Sequence, residues 1–200
     1  MSKNVRRKEE RPGEIVDAAI EIFAKKGYAK TTFGAIAESL NMSRSNIYLY
    51  FPDKASLFQT CVKTVVLKNM QLLSKDIFKE DLPLDKTLHL ITDVLTTVFS
   101  DKILVEFIIM ALSESKFFPE LAKIWHEEVV SLAAGLFEKI LGPKVKVDLK
   151  FLWLQVVSPI FMTALSRHCF GEQSPFPTLS VLKEKLPEII LDNVKHLALE

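Results

Sequence analysis

Cysteine is almost missing from these 200 residues, and the two present, Cys61 and Cys169, stand far apart without the spacing of metal ligands. Neither a disulfide scaffold nor a zinc site is therefore expected, and a reducing cytoplasm suits the chain. Catalytic motifs are absent as well. There is no Gly-rich phosphate loop, no nucleophile elbow, no HExxH and no CxxC. Ser166, Arg167 and His168 are adjacent, which on a helix points them in different directions. No two of the four histidines stand four residues apart beside a carboxylate, so metal sensing has no support. The expectation is a protein that is not an enzyme and needs neither metal nor cofactor.

Long apolar runs are missing too. The N-terminus carries charge where a secretory signal would carry an apolar stretch. The most apolar windows, 103–112 and 151–165, contain Glu106 in the first and Gln155, Ser158 and Pro159 in the second. Both fall short of the roughly 20 apolar residues a membrane span requires, so they are expected to be buried helices with no membrane partner. Alternating strand-like runs do not occur, which excludes a sheet.

What the sequence has is helical periodicity and enough apolar residues, 48%, to bury a substantial core. The pattern predicts an all-α protein of about nine helices. A first helix over about 9–26 buries Ile15, Ala18, Ala19, Ile22 and Phe23 and stops at Gly27, where a helix end turns left-handed. Thr31 or Thr32 caps a two-turn second helix carrying Phe33, Ile36, Ala37 and Leu40. Asn41, which tolerates the left-handed conformation, makes the break, and Ser43 can cap a short third helix over about 44–50. After Pro52, Asp53 can cap a long fourth helix over about 54–79. Further helices are expected near 85–100, 102–115, 119–141, 148–170 and 178–197, separated by Pro83, by Phe117-Phe118-Pro119, by Gly142-Pro143 and by 171–177.

Charge is distributed unevenly along this framework. Residues 1–54 hold 10 Lys and Arg against 7 Asp and Glu, whereas 55–200 hold 16 against 18. The run Lys3, Arg6, Arg7, Lys8 and Arg11 lies before and at the start of the expected first helix, where a flexible basic arm can meet phosphates. Two short helices that cannot stand alone in water, joined by a tight turn, suit a helix-turn-helix: Ala37 permits close approach, Ile36 and Leu40 anchor one helix and Ile47 the other. Ser43, Arg44, Ser45, Asn46, Tyr48 and Tyr50 are then left for another surface. Arg pairs with guanine and Asn with adenine in a major groove, and hydroxyls suit phosphates. An ordinary helical hairpin with a polar face has the same features.

Ile15-Val-Asp-Ala-Ala-Ile-Glu-Ile-Phe23, Gly27-Tyr28, Thr31-Thr32, Ile36-Ala37, Ser43, Ile47-Tyr48, Phe51 and Lys54 through Leu57 form an ordered set that resembles the N-terminal signature of the tetracycline-repressor (TetR) family. The resemblance implies a helix-turn-helix DNA-binding domain over 1–54, with its motif at about 32–51. It also implies a helical ligand-binding and dimerisation domain over 55–200, in a homodimeric repressor bound to a palindromic double-stranded DNA operator. The family's residues matching Thr32, Ser43, Arg44, Ser45, Tyr48, Tyr50 and Lys54 lie at the DNA surface, Tyr48 and Lys54 chiefly on phosphate. Lys54 at a helix N-terminus agrees physically, since the helix dipole adds to its charge. Asn41 and Ser45 stand where the family often has Gly. Asn41 is benign, but Ser45 brings a Cβ and a hydroxyl to a place of close approach, so base preference does not carry over.

The likeness fades after about residue 65. There, Phe99, Phe107, Met110, Trp125, Trp153 and Phe161 are candidates to line a pocket for a small apolar or amphipathic ligand, and Glu106, His126 and Gln155 to orient it. For each aromatic, plain core packing is the competing reading. The resemblance assigns dimerisation to the last two helices. Leu152, Val156, Pro159, Ile160 and Thr163 on one, and Leu182, Leu186, Ile189, Ile190, Val194 and Leu197 on the other, are the expected faces, since a two-fold interface uses one patch twice.

Overall fold

The computed structural model describes residues 3–70, 77 and 82–197. Among these the chain is helical with no strand. Nine helices follow in order: α1 (Lys3–Lys30), α2 (Phe33–Ser39), α3 (Arg44–Tyr48), α4 (Lys54–Met70), α5 (Leu84–Val98), α6 (Lys102–Glu114), α7 (Pro119–Trp125, a π-helical turn His126–Val130, then Ser131–Leu141), α8 (Leu149–Phe170) and α9 (Leu179–Leu197). The expected extension of the fourth helix to residue 79 lies outside the described residues apart from Ile77.

α1 begins six residues earlier than expected, so the basic run starting at Lys3 lies on helical backbone instead of forming a free arm. Lys, Arg and Glu are good helix formers, and nothing before Pro12 breaks the helix. At Gly27 the backbone leaves helical geometry, with φ 76 and ψ 172, before one further turn ends at Lys30.

Contacts divide the chain into two compact units, one of residues Met1–Leu67 with Glu106–Val129 and one of Lys68–Val105 with Val130–Glu200. The first unit is organised around aromatic rings. Phe23, Tyr28, Phe58 and Phe107 are almost fully buried. Phe58 stacks on Phe107 at 5.4 Å, and Phe23 meets Phe58 edge-on at 5.2 Å. Burying each such ring stabilises by about 2–3 kcal/mol. Cys61 is buried beside them, its thiol directed at the Val16 carbonyl (3.8 Å) and its pKa pushed well up by burial, so it is a core group and not a nucleophile.

In the second unit, α9 packs chiefly along α5 and also on α8. Leu88 and Ile91 of α5, Leu152, Val156 and Ile160 of α8, and Leu186, Ile190 and Val194 of α9 share one core with Phe137 and Leu141 of α7. Lys183 of α9 pairs with Asp93 of α5. Asp148 caps α8, accepting from the Lys150 N–H (2.8 Å). The helix continues through Pro159 and stops at Gly171, whose φ is 57.

This packing corrects two expectations. The α8 face assigned to a partner, Leu152, Val156, Ile160 and Thr163, is buried within the chain, as are Leu186, Ile190 and Val194 of α9. The apolar residues left outside are Phe151 (64% exposed), Leu154 (59%), Met162 and Phe170 on α8, with Val181 and Ile189 (56%) on α9. The side chain of Leu197 lies outside the described set. Length was also underestimated: Leu149–Gln173 is long and apolar enough to cross a membrane by composition alone, because the helix continues past residue 165 with few charges. A third of its most apolar window is buried in the second unit's core.

Candidate nucleic-acid interface

α2 starts at Thr32, whose Oγ1 accepts from the Ala35 N–H (3.2 Å), while buried Thr31 donates its hydroxyl to the Gly27 carbonyl (2.7 Å). The turn that follows is set by Asn41, with φ 50. The Asn41 N–H donates to the Glu38 carbonyl (3.1 Å) and the Met42 N–H to that of Ala37 (2.9 Å). This paired closure ends a helix on a left-handed residue, which Asn accepts more readily than most. α3 then hangs on Ile47, fully buried, and on the Tyr48 ring, edge-on to Phe33 at 4.9 Å.

The rest of α3 faces outward. Ser43, Arg44, Ser45, Asn46 and Tyr48 are exposed and Tyr50 is half-buried. Ser43 occupies the N-cap position, but its hydroxyl makes no cap bond and instead pairs with that of Ser45 (2.8 Å). The expected side-chain cap is replaced because Ser45 supplies a competing hydroxyl two residues on. Only the Ser43 carbonyl serves the helix, accepting from the Asn46 N–H (3.0 Å). Arg44 donates from Nη2 to the Tyr48 hydroxyl (2.8 Å), its guanidinium 5.4 Å from that ring's centre. Hydroxyls, a guanidinium and an amide thus form one solvent-facing surface on a helix fixed from behind, the donor set that phosphates and base edges accept.

Lys54 is placed differently from the α3 residues. Asp53 caps α4 as expected, its Oδ1 accepting from the Ser56 N–H (2.8 Å). Lys54, next in the chain, is half-buried, and its Nζ donates to the Tyr28 carbonyl (2.8 Å) while lying 4.2 Å from the centre of the Tyr28 ring and 5.5 Å from that of Phe118. Burial lowers its pKa, and the charges of Glu114 and Glu120 oppose that shift. An ammonium has three donors, so a phosphate reaching Lys54 shares it with this internal partner.

Glu114 and Glu120 are the residues that sequence reasoning missed. The Glu114 carboxylate accepts from the N–H groups of Tyr28 (2.9 Å) and Ala29 (2.7 Å), capping the short turn after Gly27, and Glu120 Oε1 accepts from the Tyr28 hydroxyl (3.0 Å). A buried tyrosine needs a partner for its hydroxyl, which was the available signal. Burial first, then the Glu120 hydrogen bond and the charges of Glu120 and Asp53, raise the Tyr28 pKa above its ordinary value. A phenol harder to ionise folded than unfolded contributes stability that is complete below the unfolded pKa of about 10 and is lost as pH rises beyond it. Tyr28→Phe should therefore lose less stability than the parent between about pH 9 and pH 11 in urea unfolding. Equal losses in the two proteins would mean that Tyr28 does not carry this dependence.

The nine candidate ligand residues are divided between the two units. Phe107 and Met110 are buried in the first unit, where Glu106 and Trp125 are half-buried and His126 is exposed on the π-helical turn. In the second unit, Phe99 meets Phe161 edge-on at 5.9 Å and Trp153 meets Phe137 at 5.2 Å, while Gln155 accepts from Asn193 Nδ2 (3.3 Å).

Residues 15–61, which contain α2, the turn and α3, match the family model described as bacterial regulatory proteins of the tetR family. Over that span the chain is similar to the N-terminal domain of this family. Over 50 residues the chain is 40% identical to the biofilm operon icaADBC HTH-type negative transcriptional regulator IcaR of Staphylococcus aureus (strain Newman), a match covering 25% of the chain and 27% of that regulator. Over 68 residues it is 32% identical to the HTH-type transcriptional regulator YfiR of Bacillus subtilis (strain 168), covering 34% and 33%. The chain thus spans about a quarter to a third of the length of these curated relatives. The fold extends further: the transcriptional regulator FadR from Bacillus subtilis, solved in complex with stearoyl-CoA, superposes with a TM-score of 0.64 at 18% identity over 90% of this chain and 98% of that one. Glu114 and Glu120, which hold Tyr28, lie outside the matched span.

Proposed function

We propose that this chain is a TetR-family DNA-binding transcriptional regulator, acting in the cytoplasm as a homodimeric repressor that leaves a palindromic operator when a small, largely apolar ligand binds. The observation that carries the reading is the outward face of α3, with Arg44 and its neighbours exposed while Ile47 is fully buried beneath them. In this reading residues 1–54 are the DNA-binding domain and 55–200 the ligand-binding and dimerisation domain. Thr32, Ser43, Arg44, Ser45, Asn46, Tyr48, Tyr50 and Lys54 meet DNA. Two recognition helices lie about one DNA turn apart, roughly 34–36 Å, and the ligand favours a state in which α4 moves and that spacing is lost. The neighbour solved with stearoyl-CoA supports the ligand-responsive half.

Binding to random duplex should fall linearly with salt on logarithmic axes, by about a thousandfold or more between about 50 and 200 mM salt for six or more phosphate contacts. A salt-independent affinity would sink the reading. The dimer is supported by the outward faces of α8 and α9, where Phe151, Leu154 and Ile189 are exposed. Leu154→Glu with Ile189→Glu should convert a dimer into a folded monomer in sedimentation equilibrium. A parent protein that sediments as a monomer at operator-binding concentration would refute this half.

A further inference from the structure

Within the second unit a cleft of about 410 Å³ opens where the α5–α6 junction meets the end of α8 and the start of α9. That is the size of a site for a small organic molecule. Its apolar wall is Phe99, Val105 and Leu179, and its cationic side is Lys102, at the start of α6, with Arg167 from the last turn of α8, where His168 also lines it. None of the described residues lining it is acidic. Arg167 donates from Nη1 to the Phe176 carbonyl (3.2 Å), a bond that orients the guanidinium while using one of its five donors.

The helices that wall this cleft also carry two buried hydroxyls outside its lining. Thr163 lies on α8 one turn before Arg167 and is 1% exposed, yet its hydroxyl has no hydrogen-bond partner. Thr92, on α5 two turns before Phe99, is fully buried and equally unpartnered. Buried hydroxyls in helices ordinarily find a partner, often the carbonyl one turn back, as Thr96 does on Thr92 (2.8 Å).

We infer that this cleft binds a small organic anion with an apolar body, its carboxylate held by Lys102 and Arg167 and its chain lying on Phe99, Val105 and Leu179. Two cations in a lining without an acidic residue select against amines, the apolar wall selects against inorganic anions, and a guanidinium matches a carboxylate with two parallel bonds. The inference deepens the ligand-responsive half of the function proposed above by giving the ligand a charge. It is tested on the full chain without DNA, by calorimetric titration with octanoate, octan-1-ol and octylamine. Octanoate should saturate one site and bind about tenfold or more tighter than the alcohol, with no binding of the amine. Lys102→Gln, on an exposed side chain, and Arg167→Gln should each weaken octanoate by a similar factor. Equal affinity for acid and alcohol, no saturable octanoate binding, or full affinity in both variants overturns the inference. Duplex binding by the same preparation is read separately: a protein that binds duplex and not octanoate loses the cleft and keeps the regulator, and the converse result loses the regulator and keeps the cleft.

Discussion

Gly27→Ala should destabilise the first unit by about 3–5 kcal/mol, a large share of the 5–15 kcal/mol that typically holds a domain folded. Two causes add. The backbone at Gly27, φ 76 and ψ 172, lies in a region that only glycine occupies without strain, and a side chain there costs about 1–3 kcal/mol. A Cβ would also stand 2.5 Å from Glu114 Oε1, the atom that accepts from the Tyr28 N–H. Moving Glu114 aside releases the Tyr28 and Ala29 amides, each worth about 1–3 kcal/mol if left without a partner. Thermal unfolding should show a midpoint lower by about 10 °C. A double-mutant cycle separates the causes: in a Glu114→Ala background the collision is gone, so Gly27→Ala should cost about 1–2 kcal/mol less than in the parent. If the two changes add within about 0.5 kcal/mol, Glu114 does not clamp this turn.

That clamp also shows where sequence reading stops. Gly27 could be recognised as a helix stop because the signal is local, and so could Asn41 in the turn, Asp53 as the cap of α4 and the separators that define all five helices after Pro83. Glu114 could not, since it reaches Tyr28 across 86 residues and no periodicity reports which distant carboxylate finds a pair of free amides. Lys54 was placed correctly at its helix N-terminus, but the inward course of its ammonium depends on Tyr28, Phe118, Glu114 and Glu120 meeting there. The outward face of α8 was misassigned for a different reason. Phe151, Leu152, Trp153, Leu154, Val156 and Val157 make the helix apolar nearly all round, and such a helix gives no preferred face for a pattern to find.

The clamp further gives the proposed DNA-facing element a defined base. Tyr28 is held at its amide by Glu114, at its hydroxyl by Glu120 and at its carbonyl by Lys54, and Lys54 opens α4, the helix that follows α3. α3 itself has five residues and too few internal hydrogen bonds to stand alone, so its orientation comes from Ile47, Phe33 and the neighbouring helices. A change at Glu114 or Glu120 is therefore expected to act on DNA affinity through the position of α3 and not through charge at the interface.

On DNA, Arg44→Ala should weaken binding to a selected operator by about 1–3 kcal/mol, which is about fivefold to more than a hundredfold, and change binding to random duplex far less. Free Arg44 is parked on the Tyr48 hydroxyl at 2.8 Å, and its guanidinium must leave that partner to read a base. The net gain from a guanine contact is accordingly reduced by the loss of an exposed hydrogen bond worth about 0.5–1.5 kcal/mol. Tyr48→Phe removes the parking bond while keeping the ring that packs on Phe33, so it should retain or slightly improve discrimination between operator and random duplex, even where a lost phosphate contact lowers both affinities. Competition binding of the two variants at fixed salt decides the matter. If Arg44→Ala lowers affinity for operator and random duplex equally, Arg44 serves a phosphate, and base reading passes to Asn46 and the Ser43–Ser45 hydroxyl pair on the same exposed face.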